Sequence, residues 1–208
     1  MELTAETGAA SRYARSMKET LSCCSALIAF GLCFASSLSA QTPPATPSVQ
    51  DPMSTWLRNA YRSNRNYLAR TAEKVPEELY TLRPGAQTDV RTLGQIIGHV
   101  ANFNFLWCSQ AKGERNPAEG RDYEKETSKS VLVQAVNDAL VYCDGAYAAL
   151  TDASGQQMLT ITQENGRQTQ SLRMSLLTLN YGHNNEHYGN LVTLMRMKSI
   201  VPPSSEPR

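Results

Sequence analysis

Histidine is nearly absent from this chain: three residues in 208. Charge of one sign is absent too. The formal net charge is +1, and the lysines and arginines are scattered rather than gathered into a patch. Such a chain carries no broad field for a polyanion, so nucleic acid is excluded as an expected partner. No stretch alternates apolar and polar residues long enough for a sheet, and no repeat or low-complexity segment follows the N-terminal region. A long clean apolar run is also missing. The segment from Leu21 to Leu38 is interrupted by Ser22, Ser25, Ser36 and Ser37, with no charged stop-transfer cluster after it. It therefore reads as something other than a membrane span.

That segment has the layout of a secretory signal. Met17 and Lys18 precede an apolar, small-residue stretch that ends in "SLSAQ". Cleavage is expected after Ala40, with residues 1–40 forming the signal and Met17 the better start. Leu38, three residues before the cut, makes Ser39 an alternative site. The mature protein would be exported, periplasmic or secreted, with no stable membrane span after cleavage. Cys23, Cys24 and Cys33 leave with the signal, and no lipobox stands at the cut. Residues 41–50 form a Pro-rich linker. A bundle is expected over 51–203, with 204–208 as a tail.

After the linker the chain reads as all-α, with four amphipathic helices. The first spans 52–74, with Asp51-Pro52 as its start signal and Pro76 as its stop. Its face is read as Trp56, Ala60, Tyr67, Leu68 and Thr71. "PEELY" makes a short turn, and Pro84-Gly85 breaks the loop after it. The second helix spans about 91–112, capped by Thr88 or Asp89 and closed by Gly113. Its stripe is Ile96, His99, Phe103, Leu106 and Gln110. The third spans 128–150, with Leu132, Val136, Ala139, Cys143, Ala146, Tyr147 and Leu150 inward. The fourth spans 171–198 and ends before Pro202-Pro203. The 113–127 connection is long enough to run the length of a bundle, so helix 3 can lie parallel to helix 2. "LTITQENGRQTQ", in the connection before the last helix, can turn back on itself at Asn165-Gly166. Four helices with two long connections make a four-helix bundle. Cys108 lies nine residues past His99, about 180° around an α-helix, and so points away from the centre. No bond to Cys143 is expected.

The three histidines fall on these helices. His183 and His187 stand four residues apart in "HNNEHYGN", on one helical face and within reach of one ion. His99 lies in the stripe of helix 2. A lone His on an apolar face is usually a hydrogen-bonded core residue. Three such residues, costly when unpaired and buried, are more economically explained by a shared divalent ion. The letters H-x-x-E-H also match a zinc-protease signature. That reading needs a downstream carboxylate ligand, and only Glu206 follows, in a Pro/Ser tail. Glu186 also lies about 60° off the His183 direction. It is expected outside the metal's ligand set. Gly94, Gly98, Gly182 and Gly189 flank the histidines and suggest close approach of helices 2 and 4. Asn102, Asn180, Asn184 and Tyr67 are the further candidates for a pocket.

"RTLGQIIGHVANFNFLW" and "HNNEHYGNLVTLMRMKSIVPP" together resemble the DinB/YfiT-like superfamily, over about 50–203. The shared pattern is a His in helix 2, an H-x3-H-x-G in the last helix, an Arg and a "G-x-x-P-P" ending. "YTLRPG" looks like the usual "RP" turn. The resemblance carries over to His99, His183 and His187 as metal ligands, with Gly189 and Arg196 as the following Gly and Arg. Ser199 departs from it, standing where Gly is usual. The resemblance implies an up-down-down-up bundle holding a divalent metal, often zinc or nickel. It also implies relatives that include metal-dependent thiol transferases and a thiol-dependent isomerase. An open tri-His site can activate water for hydrolysis or a thiol for S-transfer. The alternative is a non-catalytic metal-binding or interaction bundle. A small-molecule substrate and a homodimer are both compatible with the sequence.

Overall fold

The computed structural model describes residues 50–163 and 165–207. The expected signal sequence and all but the last residue of the linker lie outside them. Five α-helices and one hairpin make up the described chain: α1 (Pro52–Lys74), α2 (Leu93–Lys112), α3 (Lys129–Ala148), the single-turn α4 (Asp152–Gly155), β1 (Met158–Thr162), β2 (Gln168–Leu172) and α5 (Arg173–Met197). The four long helices form a bundle in which α1 and α2 are diagonal, each packed against α3 and α5. Among the described residues no helix is long and apolar enough to cross a membrane.

Side-chain pairings give the helix directions. α1 and α5 run parallel, with Trp56 against Tyr181 and Tyr67 against Tyr188. α2 and α3 also run parallel, since Gly94 lies beside Leu132 at one end and Cys108 is bonded to Cys143 at the other. α1 and α3 are antiparallel. Tyr61 Oη donates to Leu140 O, Arg65 pairs with Asp144, and Lys129 Nζ donates to Val75 O. α2 and α5 are antiparallel, with His99 beside His187 and Arg173 Nε donating to Ala111 O. The result is up-down-down-up, and residues 113–128 carry the chain back along the bundle. Buried leucines, isoleucines and valines from all four long helices fill the centre. Their burial is the main stabilising contribution, about 25 cal/mol per Å² of apolar area.

The helix ends differ from expectation. Thr92 caps α2, not Thr88 or Asp89. Its hydroxyl accepts from Gln95 N, and the Gln95 side chain accepts from Thr92 N. Asp51 does not cap α1 with its own side chain. The Asp152 carboxylate of α4 accepts from Met53 N and Ser54 N instead. Hydrogen bonds from those backbone groups, Ser54 first, hold Asp152 below its usual range. Gly113 closes α2 at φ 70° as expected. The hairpin forms where Asn165-Gly166 placed it, with Met158 opposite Leu172 and Thr162 opposite Gln168. The C-terminal segment is not a free tail. Pro203 is buried, Glu206 pairs with Lys74 and Arg70, and Tyr188 Oη donates to Ser204 Oγ.

Two helical phases need correction. The buried face of α1 is Ser54, Leu57, Tyr61, Asn64, Leu68, Thr71 and Ala72. Trp56, expected inward, is 60% exposed. Ser54 and Asn64 are polar residues at core positions, and they disguised the true stripe. On α2 the fully buried positions include Val100, Ala101, Asn104 and Cys108. Phe103, Leu106 and Gln110 are only partly covered. α2 sits between α3 and α5, so it is buried on two flanks. His99 faces α5, and Cys108, half a turn round, faces α3. The expectation of free thiols is therefore overturned. Cys108 and Cys143 form a disulfide with Cα atoms 5.3 Å apart, inside the range a disulfide needs.

Candidate metal centre

The Thr92 cap fixes the start of α2, and His99 follows two turns later, 7% exposed. On α5, His183 and His187 sit one turn apart and face α2. The structure brings the three imidazoles together. His183 Nε2 is 3.0 Å from His99 Nε2 and 3.1 Å from His187 Nε2. All three rings can offer nitrogens within 4.8 Å of one another. Among the described residues no fourth His, Cys, Asp or Glu joins the group. Burial pushes His183 down to about 3, with the neighbouring His187 and His99 adding to the effect. Burial and then His99 push His187 down to about 4. Both rings therefore stay neutral, the state in which an imidazole can donate a lone pair.

A carboxylate stands behind His99. Glu124 Oε1 lies 2.5 Å from His99 Nδ1, and Arg91 Nε donates to Glu124 Oε2 at 2.7 Å. Burial works to raise Glu124, but the hydrogen bonds from Arg91 and His99 outweigh it and the carboxyl lies below its usual range. Glu124 belongs to a helical turn, Tyr123–Lys125, in the connection between α2 and α3. That connection looked only polar in sequence, and Glu124 was not singled out. Its signal was Gly98, read differently. A Cβ at Gly98 would stand 2.3 Å from Tyr123 O, so the turn crosses α2 where there is no side chain. The expected close approach of α2 and α5 at the glycines is corrected accordingly. Gly94 makes room for Tyr80 O, and Gly182 and Gly189 face open space.

The other candidates divide. Asn102 does not face the ion site. Its Nδ2 donates to Asp122 Oδ1 and its Oδ1 accepts from Tyr123 N, which latches the turn bearing Glu124 to α2. Asn180 and Asn184 are fully buried in a core amide network rather than in a pocket. Asn104 Oδ1 accepts from both Asn180 Nδ2 and Asn184 Nδ2, and Asn104 Nδ2 donates to Asn184 Oδ1 and Val100 O. Tyr147 Oη completes the network by donating to Asn180 Oδ1. Tyr67 stacks on Tyr188, with ring centres 5.3 Å apart. Phe103 and Trp107 wall the histidines, their ring centres 4.9 and 4.8 Å from that of His183. Trp107 was not anticipated. Glu186 is exposed and outside the three-nitrogen group. Glu206, which a protease-like site would need, is held by Lys74 and Arg70 instead. An open groove of about 580 Å³ runs along α5 past His183, between Met174 and Leu179 at one end and Gly182 and Glu186 at the other.

The sequence pattern of the DinB superfamily matches residues 60–191. The chain belongs to that superfamily. Solved structures share its fold. A DinB-like protein from Bacillus cereus superposes with a TM-score of 0.56 at 17% identity, covering 71% of this chain and 93% of that one. A mycothiol-dependent maleylpyruvate isomerase gives 0.50 at 14% identity, covering 66% and 60%. The colibactin self-resistance protein ClbS, solved in complex with a dsDNA, gives 0.50 at 17% identity, covering 69% and 95%. No curated protein matches the sequence. The ClbS complex corrects the exclusion of nucleic acid: a bundle of this fold is found with double-stranded DNA, so scattered charge is no ground for ruling that partner out.

Proposed function

We propose that this DinB superfamily member is an exported, metal-dependent enzyme in which His99, His183 and His187 hold one divalent ion, zinc or nickel. The observation that carries the reading is the convergence of three imidazole nitrogens at 3.0 and 3.1 Å. Two nitrogens each about 2.0–2.1 Å from one ion stand roughly 3–3.4 Å apart, so the spacing fits a shared ion. The chemistry of the donors fits as well. With Nδ1–H of His99 given to Glu124, its Nε2 presents a bare lone pair to two other rings held neutral by burial. Without an ion, an Nε2–H of His183 or His187 would have to bridge these approaches as a hydrogen bond, whereas a shared cation would accept a lone pair from each ring.

Three neutral ligands, with no fourth from the described protein, favour an open position over a closed structural site. An ion held this way lowers the pKa of a bound water or thiol and so supplies a nucleophile at neutral pH. The chain's residues do the positioning. Phe103 and Trp107 screen His183 from solvent on one side, and the groove beside His183 and Gly182 admits a small molecule on the other. Similarity to a mycothiol-dependent isomerase supports a thiol as the group activated at the open position. The Cys108–Cys143 bond supports export to an oxidising compartment, where water and hydrolysis are favoured.

Elemental analysis of protein purified from its own compartment tests the reading. One equivalent of metal is expected, lost from His99→Ala, His183→Ala and His187→Ala and kept in Glu186→Ala, with helical circular dichroism retained in all four. Loss of metal from Glu186→Ala with retention in His99→Ala would overturn it. In the cobalt-substituted protein, an added thiol or azide is expected to change the visible spectrum. A spectrum indifferent to both would turn the assignment to a non-catalytic metal-binding bundle.

A further inference from the structure

Glu124 reaches His99 only because several unrelated features agree. Gly98 removes the side chain that would block the turn, since a Cβ there would meet Tyr123 C at 2.5 Å and Glu124 N at 2.9 Å. Asn102, one turn past His99, grips the turn on both sides, through Asp122 Oδ1 at 2.9 Å and Tyr123 N at 3.0 Å. Asp122 Oδ1 also accepts from Glu124 N at 3.1 Å, which fixes the backbone of the carboxylate itself. Arg91, just before the α2 cap, donates to both oxygens of Glu124, through Nε to Oε2 at 2.7 Å and through Nη2 to Oε1 at 3.4 Å, and His99 Nδ1 shares Oε1. A polar connection needs none of this to join two helices. Bulk solvent would satisfy a surface carboxylate, and an Ala at position 98 would suit helix α2 better than Gly.

We propose that Glu124 is a positioning residue for the metal centre: it holds His99 through Nδ1, fixes the tautomer that turns Nε2 toward His183 and His187, and thereby sets the affinity of the tri-His site for a divalent ion. The inference rests on the metal reading above. Its physical basis is general. A ligating imidazole whose second nitrogen is hydrogen-bonded to a carboxylate is fixed in orientation and made more basic, and loss of that partner typically costs about 10–100-fold in metal affinity. Of the three rings, His99 has this carboxylate support, whereas His183 Nδ1 is buried without a partner. The site is therefore asymmetric, and its preorganisation depends on the side that Glu124 serves.

Zinc affinity by competition with a chelating dye tests the proposal, on full-length mature protein stripped of metal and reloaded. Glu124→Ala is expected to bind zinc 10–100-fold more weakly than wild type, with helical circular dichroism and metal-free melting temperature little changed. Glu124→Gln keeps an acceptor for Nδ1–H without the charge, and is expected to recover part of the loss. The visible spectrum of the cobalt-loaded protein should shift in Glu124→Ala and return toward wild type in Glu124→Gln, whereas a role confined to anchoring the loop would leave the spectrum unmoved in both. Wild-type zinc affinity in Glu124→Ala, beside a wild type that binds one equivalent, would overturn the proposal and leave the metal reading intact. A wild type that binds no zinc, nickel or cobalt would overturn the metal reading itself. Should Glu124→Ala fail to fold, Glu124→Met, which fills the space without an acceptor for Nδ1–H, decides: a zinc affinity and cobalt spectrum identical to wild type there would sink the idea.

Discussion

Ser199 holds a left-handed backbone, φ 57°, at the end of α5. Ile200 N donates to Met195 O and Ser199 N to Arg196 O, the bond pattern of a helix closed by a residue that is usually glycine. The cap forms here despite the Cβ, at a cost of about 1 kcal/mol. Ser199→Gly should relieve that strain and raise stability by roughly 0.5–1 kcal/mol, less what glycine loses in unfolded-state entropy. A melting temperature that falls in Ser199→Gly would contradict this. The histidines give a second residue-level expectation. In the metal-free protein burial holds His183 at about 3 and His187 at about 4, against 6.5 when unfolded. Between about pH 6.5 and 4 the unfolded chain therefore binds more protons than the folded one, and stability falls as pH falls through that window. Melting curves of metal-free protein at pH 7.5, 5.5 and 4.5 should show the loss. His183→Gln/His187→Gln should flatten it, and an equal slope in that variant would mean that other groups are responsible.

At the scale of elements, α3 was fully legible and α1 and α2 were not. Every residue expected inward on α3 is buried, although α3 too packs against both α1 and α2 and carries Val141 on its exposed face. α2 packs on both flanks and beneath the 123–125 turn, so apolar residues surround it and periodicity alone cannot choose a phase. The same ambiguity hid Asn104, a polar residue at a core position whose amide is satisfied by α5 on two sides. Asn104 joins the middle of α2 to the stretch of α5 that carries His183, since Asn184 is the next residue in the chain. Asn104→Ala should leave Asn180 Nδ2 and both polar atoms of the Asn184 amide without their partners, while Asn180 Oδ1 keeps Tyr147, and cost about 2–3 kcal/mol. Urea denaturation measures it, and a midpoint within error of wild type would show that the network contributes nothing net. The positions of His99, His183 and His187 were legible from spacing. Glu124 was not, because its approach depends on how a loop folds back across Gly98.

Across the described residues, the connection lengths allowed a parallel α2 and α3, and the family resemblance implied the up-down-down-up order. Residues 113–128 are long enough to return along the bundle, and they do, which sets α2 and α3 side by side in parallel. Parallel neighbours bring matching ends together, and that is why Cys108 and Cys143, each about four residues from the end of its helix, can meet. A reading that took His99 to mark the centre of the bundle had to send Cys108 outward. The ring of α1, α3, α2 and α5 has no single inward direction for a helix that also flanks a site. The bond ties α2, which carries His99, to α3 across a separation of 35 residues. Closing a loop of that size in the unfolded chain is worth about 4 kcal/mol on the chain-entropy account. Cys108→Ala/Cys143→Ala should accordingly lose roughly 2–4 kcal/mol, the lower figure holding if the core closes over the vacated space. Both sulfurs are fully buried, so dithiothreitol should leave the folded protein oxidised and reduce it only when denaturant is present. Non-reducing peptide mapping of protein recovered from its own compartment should show the 108–143 cross-link. Two freely alkylated thiols in that preparation would remove both the bond and the support it lends to export.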